Sequence, residues 1–209
     1  NALCRPPREE FDKLINERPR GIPLCNPTYP TRYLYTRREM TQIRDLVKKY
    51  DLFLFSDEVY REFIYTGSPY ISACHLEGIE QNVVLIDSVS KRYSECGIRI
   101  GALITKNKAL RDAVMKFCQA RLSPPLIGQI VAEASIDAPR SYSTEVYEEY
   151  IERRKCLIAG LTRIPDVYPP LPIGACPTTA LLRVARTPPS PPSRPPEAEH
   201  PVPTPCPSP

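Results

Sequence analysis

The chain holds 209 residues, enough for one sizeable core, and sets 28 Lys and Arg against 24 Asp and Glu for a net charge of +4. That near-balance excludes a strongly basic nucleic-acid binder, because Arg37-Arg38 and Arg153-Arg154-Lys155 lie among acids as on solvated helix faces. No apolar run reaches the ~18 residues of a membrane span and no signal-peptide pattern opens the chain, so a cytoplasmic protein without a membrane partner is expected.

In chain order, Gly21-Ile22-Pro23-Leu24-Cys25 predicts a strand, although Pro23 cannot donate to a ladder and suits a central strand poorly. Thr36-Arg37-Arg38-Glu39 is a capping box that opens a helix through Tyr50, with Met40, Ile43, Leu46 and Val47 on one face. Strands follow at 52–56, 83–87 and Ile98–Ile104. Their near-continuous apolar runs, separated by polar crossovers, predict a parallel sheet covered on both faces. A helix from Lys108 to Leu122 should turn Leu110, Val114 and Phe117 inward. Another begins at Ser123, with Pro124 in its first helical position, and stops before Pro139. A long helix from Thr144 to Ile164 carries Tyr147, Ile151, Ile158 and Leu161 at helical spacing. From Thr187 to Pro209 proline dominates, which predicts disorder or polyproline II; Pro191-Pro192-Ser193-Arg194-Pro195 is a PxxP-like ligand for an aromatic groove. Eight scattered cysteines without a CxxC pair predict reduced thiols, several of them core fillers, and Cys74-His75 has no neighbours at metal-ligand spacing.

Two strand ends carry the chemistry. The run Val83-Val84-Leu85-Ile86 passes into Asp87-Ser88-Val89-Ser90-Lys91, and Arg99 follows eight residues after the lysine. Lys91 can form an imine with an aldehyde, while Ser88, Ser90 and Arg99 offer hydroxyl and guanidinium donors to a phosphate. Loops at the carboxyl ends of strands are where α/β folds place ligands. The earlier run Leu52-Phe53-Leu54-Phe55 ends in Ser56-Asp57, with Tyr60 three residues beyond the acid. A phosphorylated pyridine aldehyde needs an anion at its ring nitrogen and a donor at its ring hydroxyl, and Asp57 and Tyr60 supply these. Taken singly, each motif also fits a solvated Ser/Lys turn or an ordinary strand-end carboxylate.

Together, Ser56-Asp57-Glu58-Val59-Tyr60 and Ser88-Val89-Ser90-Lys91 with Gly97, Arg99 and Gly101 resemble the class I/II aminotransferases of pyridoxal-phosphate fold type I, the aspartate-aminotransferase-like family. The resemblance runs from about Phe11 to Ala175. It implies a partial three-layer α/β/α large domain with a mostly parallel sheet, and pyridoxal 5′-phosphate as cofactor. Lys91 would be the Schiff-base lysine and the base at the substrate Cα, Asp57 the partner of the pyridinium nitrogen and Tyr60 that of the ring oxygen. Ser88, Ser90 and Arg99 would hold the phosphate. The implied activity is amino-group transfer from an amino acid, aspartate-like, to a 2-oxo acid in a homodimer. The implied organisation is a partial large domain over 1–143, an interdomain helix over 144–164, the start of a small domain over 165–186 and a proline-rich tail over 187–209.

The chain also departs from that family. Where the family has Asn-Pro-x-Asn-Pro-Thr-Gly, this sequence has Asn26-Pro27-Thr28-Tyr29-Pro30-Thr31-Arg32, so Tyr29 stands in place of the cofactor asparagine and Arg32 in place of the glycine. After Gly174-Ala175 it continues Cys176-Pro177-Thr178-Thr179, with no counterpart of the arginine that clamps the substrate carboxylate. These departures predict a fragment, truncated at its front and shifted in frame after about Ala175. Two alternatives to a working enzyme therefore stand beside it: an inactive aminotransferase fragment, and an interaction protein docking through its tail.

Overall fold

The computed structural model describes residues 15, 20–28, 33–165, 167–168 and 181–182. Four strands, β1 (Gly21–Cys25), β2 (Phe53–Asp57), β3 (Val83–Ser88) and β4 (Gly101–Ile104), form one sheet in sequence order. β1, β2 and β3 run parallel, whereas β4 returns antiparallel with Leu85 opposite Ile104 and Ser88 opposite Gly101. The sheet is thus mostly parallel, and the expected strand at 98–104 contributes only its last four residues.

Helix α1 (Arg37–Tyr50) forms as its sequence dictates. The Thr36 hydroxyl accepts from the Glu39 N–H, and the Glu39 carboxylate accepts from the Thr36 N–H at 2.8 Å. The helix stops at Asp51, whose left-handed backbone turns its N–H back to the Val47 carbonyl. Its inner face buries Met40, Ile43, Leu46 and Val47. Of these, Met40, Ile43 and Val47 cluster with Leu24, Leu54 and Val83 from the sheet and with Ile71, Ala73, Leu76 and Ile79 from the crossover between β2 and β3. Each such aliphatic chain withdrawn from water contributes about 1.5–3 kcal/mol.

Pro23 proves compatible with its strand. Phe53 N–H donates to Arg20 O and Asn26 N–H to Asp57 O, so the even-numbered residues of β1 face β2. Pro23 lies exposed with its nitrogen on the opposite side, where no strand among the described residues pairs with it.

Beyond β3 come the short helix α2 (Val89–Arg92), then α3 (Lys108–Arg121), α4 (Leu126–Ala134) and α5 (Arg140–Thr162). The residue pairs Val167–Tyr168 (β5) and Leu181–Leu182 (β6) form a separate antiparallel pair. Helix α4 starts after Pro125 rather than at Pro124, and α5 starts after Pro139, four residues before the expected Thr144. In both cases a proline precedes the helix as its cap residue, so neither Ser123 nor Thr144 is the start signal. The expected sheet cover and inner face of α3 are not realised: no residue of α3 is buried, Phe117 is 76% exposed, and all four residues of β4 are exposed. Nor do the described thiols fill the core, since Cys25 is half-buried and Cys74, Cys96, Cys118 and Cys156 are exposed. Tyr29, Arg32, the segment around Ala175 and the tail over 187–209 lie outside the described residues.

Candidate active site

Parallel pairing sets Asp57 opposite Ile86, which brings the carboxyl ends of β2 and β3 side by side. The Asp57 carboxylate accepts the Val59 N–H at 3.2 Å, closing a small turn that points the following residues away from the strand. A carboxylate has about four lone-pair positions, so this turn leaves Asp57 with acceptor capacity to spare. Tyr60 lies just past that turn.

At the end of β3, Ser88 caps α2. Its hydroxyl accepts from the Ser90 N–H at 3.1 Å and donates to the Ile100 carbonyl at 2.9 Å. The Ser88 and Ser90 hydroxyls are 2.7 Å apart. Lys91 sits within α2, and its Nζ lies 5.7 Å from the centre of the Tyr60 ring. Tyr60, Ser90 and Lys91 line one cavity of about 190 Å³ with Phe63, Ser94, Cys96 and Tyr150. An amine, a phenol and a hydroxyl thus converge on a half-open space with an aromatic wall. This set fits a planar aldehyde carrying an anionic group: the amine can bond the carbonyl, the rings can pack on the plane, and the hydroxyls can donate to the anion.

Asp57 and Ser88, at the adjoining strand ends, are not part of that lining, and neither is Arg99. It is exposed, its backbone is left-handed at φ 60°, and its Nη1 donates to the Cys96 carbonyl at 3.1 Å. The loop carrying it is pinned from the other side by α4. A Cβ on Gly128 would stand 2.9 Å from the Ile98 carbonyl, so only glycine permits this approach, and Ser135 Oγ lies 2.5 Å from Glu95 Oε1.

Several functional neighbours carry no recognisable signal in the sequence. Phe63 and Tyr150 meet edge to face, with ring centres 5.3 Å apart, and close one side of the cavity. Tyr150 stands one helical turn after Tyr147 on α5, so it shares the face that helical spacing does identify. Glu58, in the same motif as Asp57, is 1% exposed, and its Oε1 accepts from Ser56 Oγ, Ser72 Oγ and Ala73 N–H at 3.0, 3.1 and 2.8 Å. Beside it, Tyr70 donates to the Asn26 carbonyl at 3.2 Å. Burial, and then the Glu58 carboxylate, push the Tyr70 hydroxyl well above the usual tyrosine range. Asn26, fully buried, donates to the Ile71 carbonyl and accepts from the Tyr35 N–H. These bonds fix the ends of β1 and β2 to the 70–73 segment beneath the site.

Fold and site together define an α/β protein with a lysine-centred pocket at the carboxyl ends of its parallel strands. Residues 7–178 match the pattern of the family Aminotransferase class I and II, and the chain belongs to that family. It is 27% identical over 168 residues to an aspartate aminotransferase of Bacillus subtilis, covering 80% of this chain and 43% of that protein. It is also 27% identical over 165 residues to an aromatic-amino-acid aminotransferase of Thermococcus litoralis, covering 77% of this chain and 42% of that one. Among solved structures, an alanine aminotransferase from Pyrococcus furiosus superposes with a TM-score of 0.75 at 26% identity, over 87% of this chain and 47% of that one. The chain therefore spans less than half the length of these relatives.

Proposed function

We propose that this site binds pyridoxal 5′-phosphate and serves amino-group transfer between an amino acid and a 2-oxo acid. The observation that carries the reading is the placement of Lys91 Nζ and Tyr60 in one cavity with Ser90, at the paired ends of the strands that bear Asp57 and Ser88. When bound, the cofactor supplies a carbonyl for the amine and a ring that withdraws electrons. Lys91 Nζ then takes and returns the proton at the substrate Cα. Asp57 holds the ring nitrogen protonated, Tyr60 serves the ring oxygen and Ser90 holds a phosphate oxygen, while Ser88 adds its donor only by turning its hydroxyl from the Ile100 carbonyl. Arg99 joins them only by turning its guanidinium from the Cys96 carbonyl, to which it is bonded here.

The relatives act on aspartate, aromatic amino acids and alanine by name, and an aspartate-like substrate is proposed from the first of these. A homodimer and a cytoplasmic setting belong to the same proposal. The thiols of Cys74, Cys96 and Cys118, exposed and outside any disulfide among the described residues, suit a reducing compartment.

The test is to incubate the chain with pyridoxal 5′-phosphate, reduce it with borohydride and map the labelled peptide. Lys91 should carry the label, Lys91→Ala should lose it, and Lys155→Ala should keep it. Equal labelling of many surface lysines would refute the site. A second reading, cofactor capture without turnover, is favoured by the outward Arg99. It predicts Lys91-specific labelling but no amino transfer to 2-oxoglutarate by the purified chain.

A further inference from the structure

The motif acid that received no role is Asp87, one residue before Ser88. Its carboxylate bonds three segments of the site at once. Oδ1 accepts the Ser88 N–H at 2.9 Å. Oδ2 accepts from Arg61 Nη2 at 2.7 Å and lies 3.4 Å from Arg92 Nη2. Arg61 is the residue after Tyr60, and Arg92 is the residue after Lys91. One carboxylate therefore clamps the immediate neighbours of the phenol and of the amine, and orients the cap of the helix that bears the amine.

All three side chains are largely shielded, at 17% exposure for Asp87, 23% for Arg61 and 25% for Arg92. Charge-assisted bonds of this kind are short and directional. Without the anion the two guanidinium groups would face each other across the same point, and their repulsion would part the loop from the helix. Glu62 also reaches both arginines, at 3.2 Å from Arg92 and 3.6 Å from Arg61, but it is 47% exposed and so a weaker tie.

Resting on the cofactor reading above, we infer that Asp87 is a positioning residue: through Arg61 and Arg92 it sets the spacing of Tyr60 and Lys91 across the cavity. It touches neither substrate nor cofactor.

The experiment compares two lysine reagents on the full chain, with Lys155 as the exposed internal reference. Pyridoxal 5′-phosphate with borohydride reads the assembled site, and acetic anhydride reads only whether Lys91 is accessible. Asp87→Asn should lower pyridoxylation of Lys91 relative to Lys155 about tenfold, the scale of one lost charge-assisted bond. Acetylation of Lys91 should change less than about twofold, because the amine stays as accessible as before. Arg61→Met should do the same, and the double variant should fall no further, because both changes cut one clamp. If Asp87→Asn does not fold by far-ultraviolet circular dichroism, the fall in Arg61→Met alone decides. An unchanged Lys91 share, equal shifts with both reagents, or additive losses in the double variant would overturn the inference while the cofactor site stands. Unselective labelling of the unaltered chain would overturn the cofactor reading, and this inference with it.

Discussion

Helices α1 and α3 have the same length, 14 residues, and both begin at a side-chain cap, yet they meet different fates. α1 buries four aliphatic residues against β1, β2 and the crossover to β3, and Met40 and Val47 are wholly enclosed. α3 buries none, and with α4 it leaves Phe117, Leu126 and Ile127 at least 70% exposed. An apolar helical face states that a helix seeks cover; it does not state that the cover is provided by the same segment of chain. The candidate site lies on the seam between these regions, with Asp57 and Tyr60 contributed from the packed side. Tyr150 reaches the site from α5, which is tied in by the Phe63 contact and by the bond from the Tyr147 hydroxyl to the Ile64 carbonyl at 2.9 Å.

The contrast breaks most directly by truncation on each side. Leu54 is fully buried, so Leu54→Ala should cost about 2–5 kcal/mol in urea unfolding. Phe117→Ala should cost less than about 0.5 kcal/mol, far below the usual loss for a phenylalanine, because its ring is already in water. Equal costs would show that α3 is packed after all.

Removing caps sharpens the same comparison. Thr36→Ala should cost about 1 kcal/mol of global stability, since α1 unfolds with the core. Asn107 caps α3 by accepting the Leu110 N–H at 2.9 Å, but Asn107→Ala should act mainly by raising hydrogen exchange within α3. A matching loss of global stability from both variants would join the two regions into one cooperative unit.

The packed region was the more legible in the sequence. The capping box, the alternation of apolar runs with crossovers and the acid at the end of β2 all arise from neighbours along the chain, and the structure realises them. The antiparallel return of β4 and the exposure of α3 depend on partners distant in sequence, and no periodicity in a single segment encodes them. In the site, Lys91, Tyr60 and Ser90 were legible because their chemistry is specific. Asp87, Phe63 and Tyr150 were not, since an acid beside arginines or an aromatic on a helix has many ordinary uses. Arg99 has matching chemistry and spacing, but its guanidinium is bonded to the Cys96 carbonyl, in a loop held by the Gly128 contact and the Ser135–Glu95 bond formed far along the chain.

A pH titration probes the floor of the packed side. The folded chain holds the Tyr70 proton more tightly than the unfolded chain, whose tyrosine titrates near the ordinary value of about 10. As pH rises past that value only the unfolded state releases the proton, so stability falls with increasing pH, by on the order of 0.5 kcal/mol at pH 10. Tyr70→Phe should remove that dependence, at the cost of the bond to the Asn26 carbonyl at every pH. An alkaline slope that survives in Tyr70→Phe would place its origin in another group.

The smallest effect on stability is expected where the largest effect on solubility is. Phe117→Ser and Ile127→Ser replace side chains that are each 76% exposed, so little apolar contact is lost in the folded chain and unfolding should shift by less than about 0.5 kcal/mol. Exposed apolar patches of this kind promote association, and β4 is likewise exposed along its whole length. The double variant should therefore sediment with less self-association than the unaltered chain at equal concentration, while the labelling of Lys91 stays the same. A fall in both association and stability would mean that these helices are already covered within the single chain, and the contrast between α1 and α3 would disappear.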